Sequence, residues 1–175
     1  VHNGLAYFTA IGNDGSGSIG VEPFVTDGTQ GGTELLKDIN VGLDDSYAGY
    51  DRRLTWTLYN NELYVSAYDG TEDVLYKTDG TTAGTELVPM GIFTNPGDYD
   101  EGPATLIGGK MITTFWVDGK GGDWYATNGT EAGTEALLPT DLTDNSESYA
   151  CWDDCTPAVL FDDHAFFLGY DGEVN

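Results

Sequence analysis

The stretch TDGTTAGTEL, residues 78–87, has two near copies in the same chain, TDGTQGGTEL at 26–35 and TNGTEAGTEA at 127–136. Three such strings in 175 residues mark a repeated structural unit, because self-similarity at a fixed period is the signature of tandem architectures. Anchored on Asp27, Asp79 and Asn128, the copies lie 52 and 49 residues apart. Two further marks recur in the same order. An Asp-Gly pair stands at Asp14, Asp69, Asp118 and Asp171, and a two-residue turn stands at Asn3-Gly4, Asn60-Asn61, Gly108-Gly109 and Asp162-Asp163. The latter are residue types that tolerate positive φ at both central positions, as a type I′ hairpin turn demands.

Between these marks the unit reads as four strands. RLTWTLY (52 onward) precedes the two-residue turn and ELYVSAY (62) follows it; DVLYKT (73) comes after the Asp-Gly pair, and TELVPM (85) after the opening string. Within that string Gly80 and Gly84 supply backbone freedom, Asp79 accepts amide hydrogen bonds, and the threonines enter the flanking strands. Three short turns and then one long connection describe a four-stranded meander followed by a crossing, which is how a β-propeller blade is strung. The expected fold is therefore all-β, with four-stranded antiparallel blades of a β-propeller forming a partial arc of about 3.3 repeats of about 50 residues. The blades fall at 52–90 and 103–140, with partial blades at 1–40 and 157–175. A β-sandwich array is the alternative within all-β folds. Closure takes about 4 to 8 blades, and Val1 is not a native start, so the chain is expected to be a piece of a longer polypeptide. The arc would be completed by further chain or by another copy.

Composition agrees with strands and turns. Twenty Asp against ten Glu, with 25 Gly, 21 Thr and 11 Tyr, favours turns and pleated strands, and no window carries apolar residues at helical spacing. A hydrophobic content of 39% excludes a disordered polymer despite the net charge of −24. So acidic a surface repels nucleic acid and anionic membranes, and no apolar run approaches the roughly 20 residues of a membrane span. Cys151 and Cys155 lie four apart with no other Cys to complete a zinc site. They read as a local disulfide in an oxidising, extracellular compartment, or else as two reduced thiols.

The strings EPFVTDGTQGGTELLKDI, VLYKTDGTTAGTELV and DWYATNGTEAGTEAL resemble the bacterial ELWxxDGT repeat, over essentially the whole chain. The family's aromatic falls on Phe24, Tyr76 and Tyr125 and its acidic lead on Glu22 and Asp123; Val74 and Asn128 depart from the pattern, and every copy lacks the Trp itself. The resemblance implies a large secreted or surface-attached bacterial polypeptide and no particular activity.

The long connections 41–51, 91–103 and 141–157 gather the candidate chemistry. Asp44, Asp45 and Asp51, then Asp98, Asp100 and Glu101, then Asp153 and Asp154 are candidate calcium ligands, since calcium takes six to eight oxygens in flexible geometry. The same carboxylates fit acid/base work on a glycosidic bond, or a merely solvated face. Tyr47, Tyr50, Tyr99, Tyr149 and Trp152 are candidates for stacking on a sugar or a protein partner, or for covering the ends of the core. Strand aromatics such as Tyr7, Tyr64, Phe115, Trp116 and Phe166 are expected to pack between blades. No G-x-S-x-G elbow, triad context or phosphate loop is present. Asn128-Gly129-Thr130 matches N-x-T but reads as an Asp-to-Asn exchange in a turn. The expectation is a non-catalytic extracellular repeat module with a structural or adhesive role in a surface protein or fibre. Its partners are other blades, further copies, or surface glycans and proteins. The alternative is a carbohydrate-binding or carbohydrate-active propeller.

Overall fold

A computed structural model describes residues 1–13, 15, 17–48, 56–89, 104–117, 121–137, 159–162 and 164–166, with the backbone alone described at 114–117 and 121–123. It is all-β there, with antiparallel pairing throughout and no α-helix among the described residues. The chain divides into two compact units, Val1–Val88 and Pro89–Asn175.

The first unit holds two sheets. Strands β1 (Ala6–Asn13), β2 (Ser18–Thr26) and β3 (Thr33–Leu35) form a three-stranded sheet in sequence order; β4 (Thr57–Tyr59), β5 (Glu62–Tyr68), β6 (Asp73–Thr78) and β7 (Glu86–Leu87) form a four-stranded one. In the second unit β8 (Thr105–Ile107), β9 (Lys110–Val117), β10 (Gly121–Thr127) and β11 (Glu135–Ala136) make another four-stranded sheet, followed by the pair β12 (Val159–Phe161) and β13 (His164–Phe166). Each is a meander, as the repeat predicts. The fourth strands are shorter than the sequence suggests, because pairing stops within three residues of the turn.

The two-residue turns are where the sequence puts them. Asn60 and Asn61 take φ of 50° and 65°, and Gly108 and Gly109 take 58° and 74°, so both central positions are left-handed as a type I′ turn requires. They are flanked by the pairs Tyr59↔Glu62 and Ile107↔Lys110. Asn3-Gly4 closes the same turn between His2 and Leu5, and Asp162 opens it between Phe161 and His164. Register then repeats: Phe24 faces Leu35, Tyr76 faces Leu87, and Tyr125 faces Ala136. In these three sheets one more backbone bond extends the last strand, from Leu36 to Pro23, from Val88 to Leu75 and from Leu137 to Trp124.

Because side chains alternate across a strand, each sheet has two faces. In the first unit Tyr7 of β1 meets Trp56 of the next sheet, ring centroids 5.4 Å apart. On the second sheet Val65, Ala67 and Tyr76 are buried against Ile39 and Ala48 of the connection leaving β3. That connection is stitched into both sheets, since the Ser46 amide donates to Val21 and its carbonyl accepts from the Tyr68 amide. In the second unit Ile112, Trp124 and Ala126 form the core, with Ile107, Leu137 and Ala165 packed around them. Phe166, expected between blades, is instead 57% exposed.

Candidate functional site

The repeated string folds into one hydrogen-bonded turn three times over. In the second copy the Asp79 Oδ1 accepts from the Thr81 amide at 2.9 Å and from the Thr81 hydroxyl at 2.7 Å. The Gly84 amide donates to Thr81 Oγ1 at 2.9 Å, and the Gly80 amide to Thr78 Oγ1 at 3.0 Å. The Thr85 hydroxyl donates to the Thr81 carbonyl at 2.7 Å and lies 2.8 Å from Thr78 Oγ1. A hydroxyl has one hydrogen to give. Thr85 gives its hydrogen to a carbonyl, so across the 2.8 Å contact Thr78 is the donor and Thr85 the acceptor.

The first copy repeats every bond with Thr26, Asp27, Thr29, Gly32 and Thr33. The third does so with Thr127, Asn128, Thr130, Gly133 and Thr134. Each letter of T-D/N-G-T-x-x-G-T thereby acquires a reason. The first glycine sits at positive φ: 93° at Gly28, 97° at Gly80 and 83° at Gly129. At the second, an added Cβ would lie 2.1 Å from the Asp oxygen at Gly32 and Gly84, and 1.9 Å from the Asn oxygen at Gly133. The sequence reading located this turn and its acidic acceptor. It placed the threonines in the strands and missed that their hydroxyls close the turn; their fixed spacing in all three copies was the available signal.

An aspartate beside a threonine hydroxyl looks like a base beside a nucleophile. Here it is neither. The Thr29 and Thr81 hydroxyls donate to the carboxylate and also accept from a glycine amide. Those hydroxyl and amide bonds hold the Asp27 and Asp79 carboxyls below their ordinary value, Thr29 and Thr81 being the largest cause, which makes them poorer bases. Asn128 does the same work without charge, its Oδ1 accepting at 3.1 and 2.7 Å. Asp69 builds a related turn, accepting from the Thr71 amide and hydroxyl and the Glu72 amide. Burial there would raise its pKa, but these bonds outweigh it and the value is lowered.

Glu22, the acidic lead of the first repeat, is fully buried on β2. Its carboxylate accepts from the Ile39 amide at 2.9 Å and the Asn40 amide at 3.4 Å, tying the connection to the strand. Burial pushes its pKa up to about 7, with Asp38 adding to the rise and the Ile39, Ser46 and Asn40 bonds opposing it. Val74 holds this place on β6 and has no such group.

Of the carboxylates expected to hold calcium, Asp44 and Asp45 are described. The Asp45 Oδ1 accepts from the Val21 amide at 2.7 Å, and the Asp44 carbonyl lies so close to Gly20 that an added Cβ would meet it at 2.2 Å. Among the described residues no three His, Cys, Asp or Glu side chains gather as a metal site. Asp51, Asp98, Asp100, Glu101, Asp153 and Asp154 lie outside the described residues, as do Cys151, Cys155, Tyr50, Tyr99, Tyr149 and Trp152. Tyr47 is described: it is 37% exposed with φ of 51°, beside the buried Ser46. Compared with family models, curated proteins and solved structures, the chain matches none.

Proposed function

We propose that this chain is a non-catalytic extracellular repeat module, its sheets the blades of a β-propeller, with a structural or adhesive role in a bacterial surface protein or fibre of the ELWxxDGT kind. One observation carries the reading: the repeated polar residues direct their hydrogen bonds into their own turn, and the turn keeps its geometry when Asn128 replaces the aspartate. A motif repeated for catalysis would lose its chemistry with that exchange. A motif repeated for folding keeps it.

A glycan array and a glycoside-hydrolysis screen on the protein test this. No turnover is expected; turnover abolished by replacing one connection aspartate would overturn it. The second reading, a carbohydrate-binding or carbohydrate-active propeller, is favoured by Tyr47, an exposed aromatic on a left-handed backbone, since strained residues gather at binding sites. Loss of a glycan-array signal in Tyr47→Ala would establish it. Calcium held by the connection carboxylates belongs to the same proposal. Millimolar calcium is then expected to raise the melting temperature beyond an ionic-strength control, and chelation to reverse the gain.

A further inference from the structure

The connection leaving β3 is seated against both sheets of the first unit, and one of its fastenings is a buried acid. Ile39 and Ala48 pack on Val65, Ala67 and Tyr76 of the second sheet. The Ser46 amide and hydroxyl both donate to the Val21 carbonyl of β2, each at 3.0 Å, and the Ser46 carbonyl accepts from the Tyr68 amide of β5 at 2.8 Å. Asn40 Nδ2 donates to the Asp45 carbonyl at 3.0 Å, folding the segment on itself. Glu22 completes the seat. It is 0% exposed, its Oε2 accepts from the Ile39 amide at 2.9 Å, and its Oε1 accepts from the Asn40 amide at 3.4 Å.

A charge in that place is poorly compensated. The Asn40 contact is long, so a hydrogen on Oε1 leaves the short Ile39 bond intact. The Ser46 hydroxyl stands between the Val21 carbonyl and Glu22 with one hydrogen to give. Given to Val21, it leaves an oxygen that accepts from a protonated Glu22. Given to an ionised Glu22, it is taken from Val21, and one tie between connection and strand is lost. Asp38, whose Oδ1 is buried with no hydrogen-bond partner among the described residues, adds repulsion. Three other described groups bear on the seat. Asp45 Oδ1 accepts from the Val21 amide at 2.7 Å; the Tyr76 phenol, its pKa raised by burial, feels both Asp69 and Glu22; Lys37 Nζ lies 5.9 Å over the Tyr76 ring. From β1, Glu22 is faced by Ala10, which has no charge to offer.

We propose that the connection is a proton-operated latch: with Glu22 protonated it is seated on β2 and covers Val65, Ala67 and Tyr76, and when Glu22 ionises the segment 37–48 lifts locally while the sheets stay folded. Every partner described for the carboxyl, Ile39, Asn40 and Ser46, belongs to the connection, so lifting returns Glu22 to water. Seated, its pKa is raised by burial from 4.5 to about 7. The seated state therefore binds more protons than the lifted one. Lifting grows about tenfold per pH unit between the two values and levels off above the seated one.

Native-state hydrogen exchange of the chain in low urea separates local from global opening. The Ile39, Ser46 and Tyr68 amides, which donate to Glu22, Val21 and Ser46, are expected to exchange through an opening that urea barely changes, because it exposes little surface. The amides joining β5 to β6 should need the urea-sensitive global opening. Between about pH 5 and 8, corrected for the base dependence of exchange itself, the local opening should rise on the order of a hundredfold. Glu22→Gln, with an oxygen for Ile39 and an N–H for Ser46, stands in for the protonated acid and should flatten that rise. Asp38→Asn removes the repulsion, so its rise should be smaller and level off at lower pH. The proposal is overturned if the three amides share the urea dependence of β5–β6, which would mean that the connection leaves only when the chain unfolds. It is overturned equally by a rise that persists in Glu22→Gln, or by a plateau at unchanged or higher pH in Asp38→Asn.

Discussion

Gly84 and Gly31 are both turn glycines, yet they should respond oppositely to alanine. A Cβ on Gly84 would sit 2.1 Å from Asp79 Oδ1, whereas one on Gly31 meets nothing within 4 Å. Gly84→Ala must therefore push aside the acceptor that organises the turn, at roughly 2 kcal/mol in the usual range for such disruptions. Gly31→Ala is expected to be neutral in the same urea titration. Thr78 offers a second contrast, since its buried hydroxyl accepts from the Gly80 amide and donates to Thr85. Thr78→Val keeps the shape and strands both partners, at about 1–3 kcal/mol. Thr78→Ser keeps the hydroxyl and is expected to retain most of the stability. A larger loss in Thr78→Ser than in Thr78→Val would show that the methyl group, not the hydroxyl, matters there.

At the scale of elements, the hairpin turns carry the register. Asn61 is held at φ of 65°, a conformation that costs an ordinary L-residue about 1–2 kcal/mol. Asn61→Ala should lower the unfolding free energy read from a urea titration by about 1 kcal/mol, while Asn61→Gly, giving the favoured Asn-Gly pair, should match or exceed the parent. These turns were legible because their chemistry is local: a strand ends where two residues accept positive φ. Strand register followed from them, since the two-residue turn fixes which residues pair. What stayed hidden was long-range. Asp45 stands in a loop string, and nothing local in it says that its carboxylate meets the Val21 amide across 24 positions. Glu22 reads as the acidic lead of the first repeat, and only the return of the connection to β2 makes it a buried acceptor for Ile39. The exposure of Phe166 was likewise beyond reach, because an apolar residue in a strand does not say whether a neighbouring face arrives to cover it.

At the scale of the whole molecule, Glu22 and the turn aspartates Asp27, Asp69 and Asp79 carry opposite pH signatures. Glu22 has its pKa raised from 4.5 to about 7 when folded, so over that interval the folded chain binds more protons than the unfolded one. Stability from this group is full below the unfolded value and is lost as pH rises through 7, by on the order of 3 kcal/mol at about 1.4 kcal/mol per pKa unit. Asp27, Asp79 and Asp69 run the other way. Their depressed values lend stability above the ordinary carboxylate range, and it is lost as pH falls through the folded values. The melting temperature is thus expected to climb as pH drops from 8 to about 5 and to fall again in stronger acid. Relief of repulsion in a chain of net charge −24 would give a rising limb of the same sign, so the slope alone does not identify Glu22. Glu22→Gln separates the two. Gln keeps an oxygen for the Ile39 amide but has no proton to exchange, so the variant should melt higher than the parent at pH 8 and lose most of the rising limb. A limb that survives intact in Glu22→Gln would assign it to the surface charge and strip the buried carboxylate of this role. Asn128→Asp should leave the rising limb untouched and steepen the fall in strong acid, because it adds a third titratable acceptor to turns that otherwise differ in that single atom group.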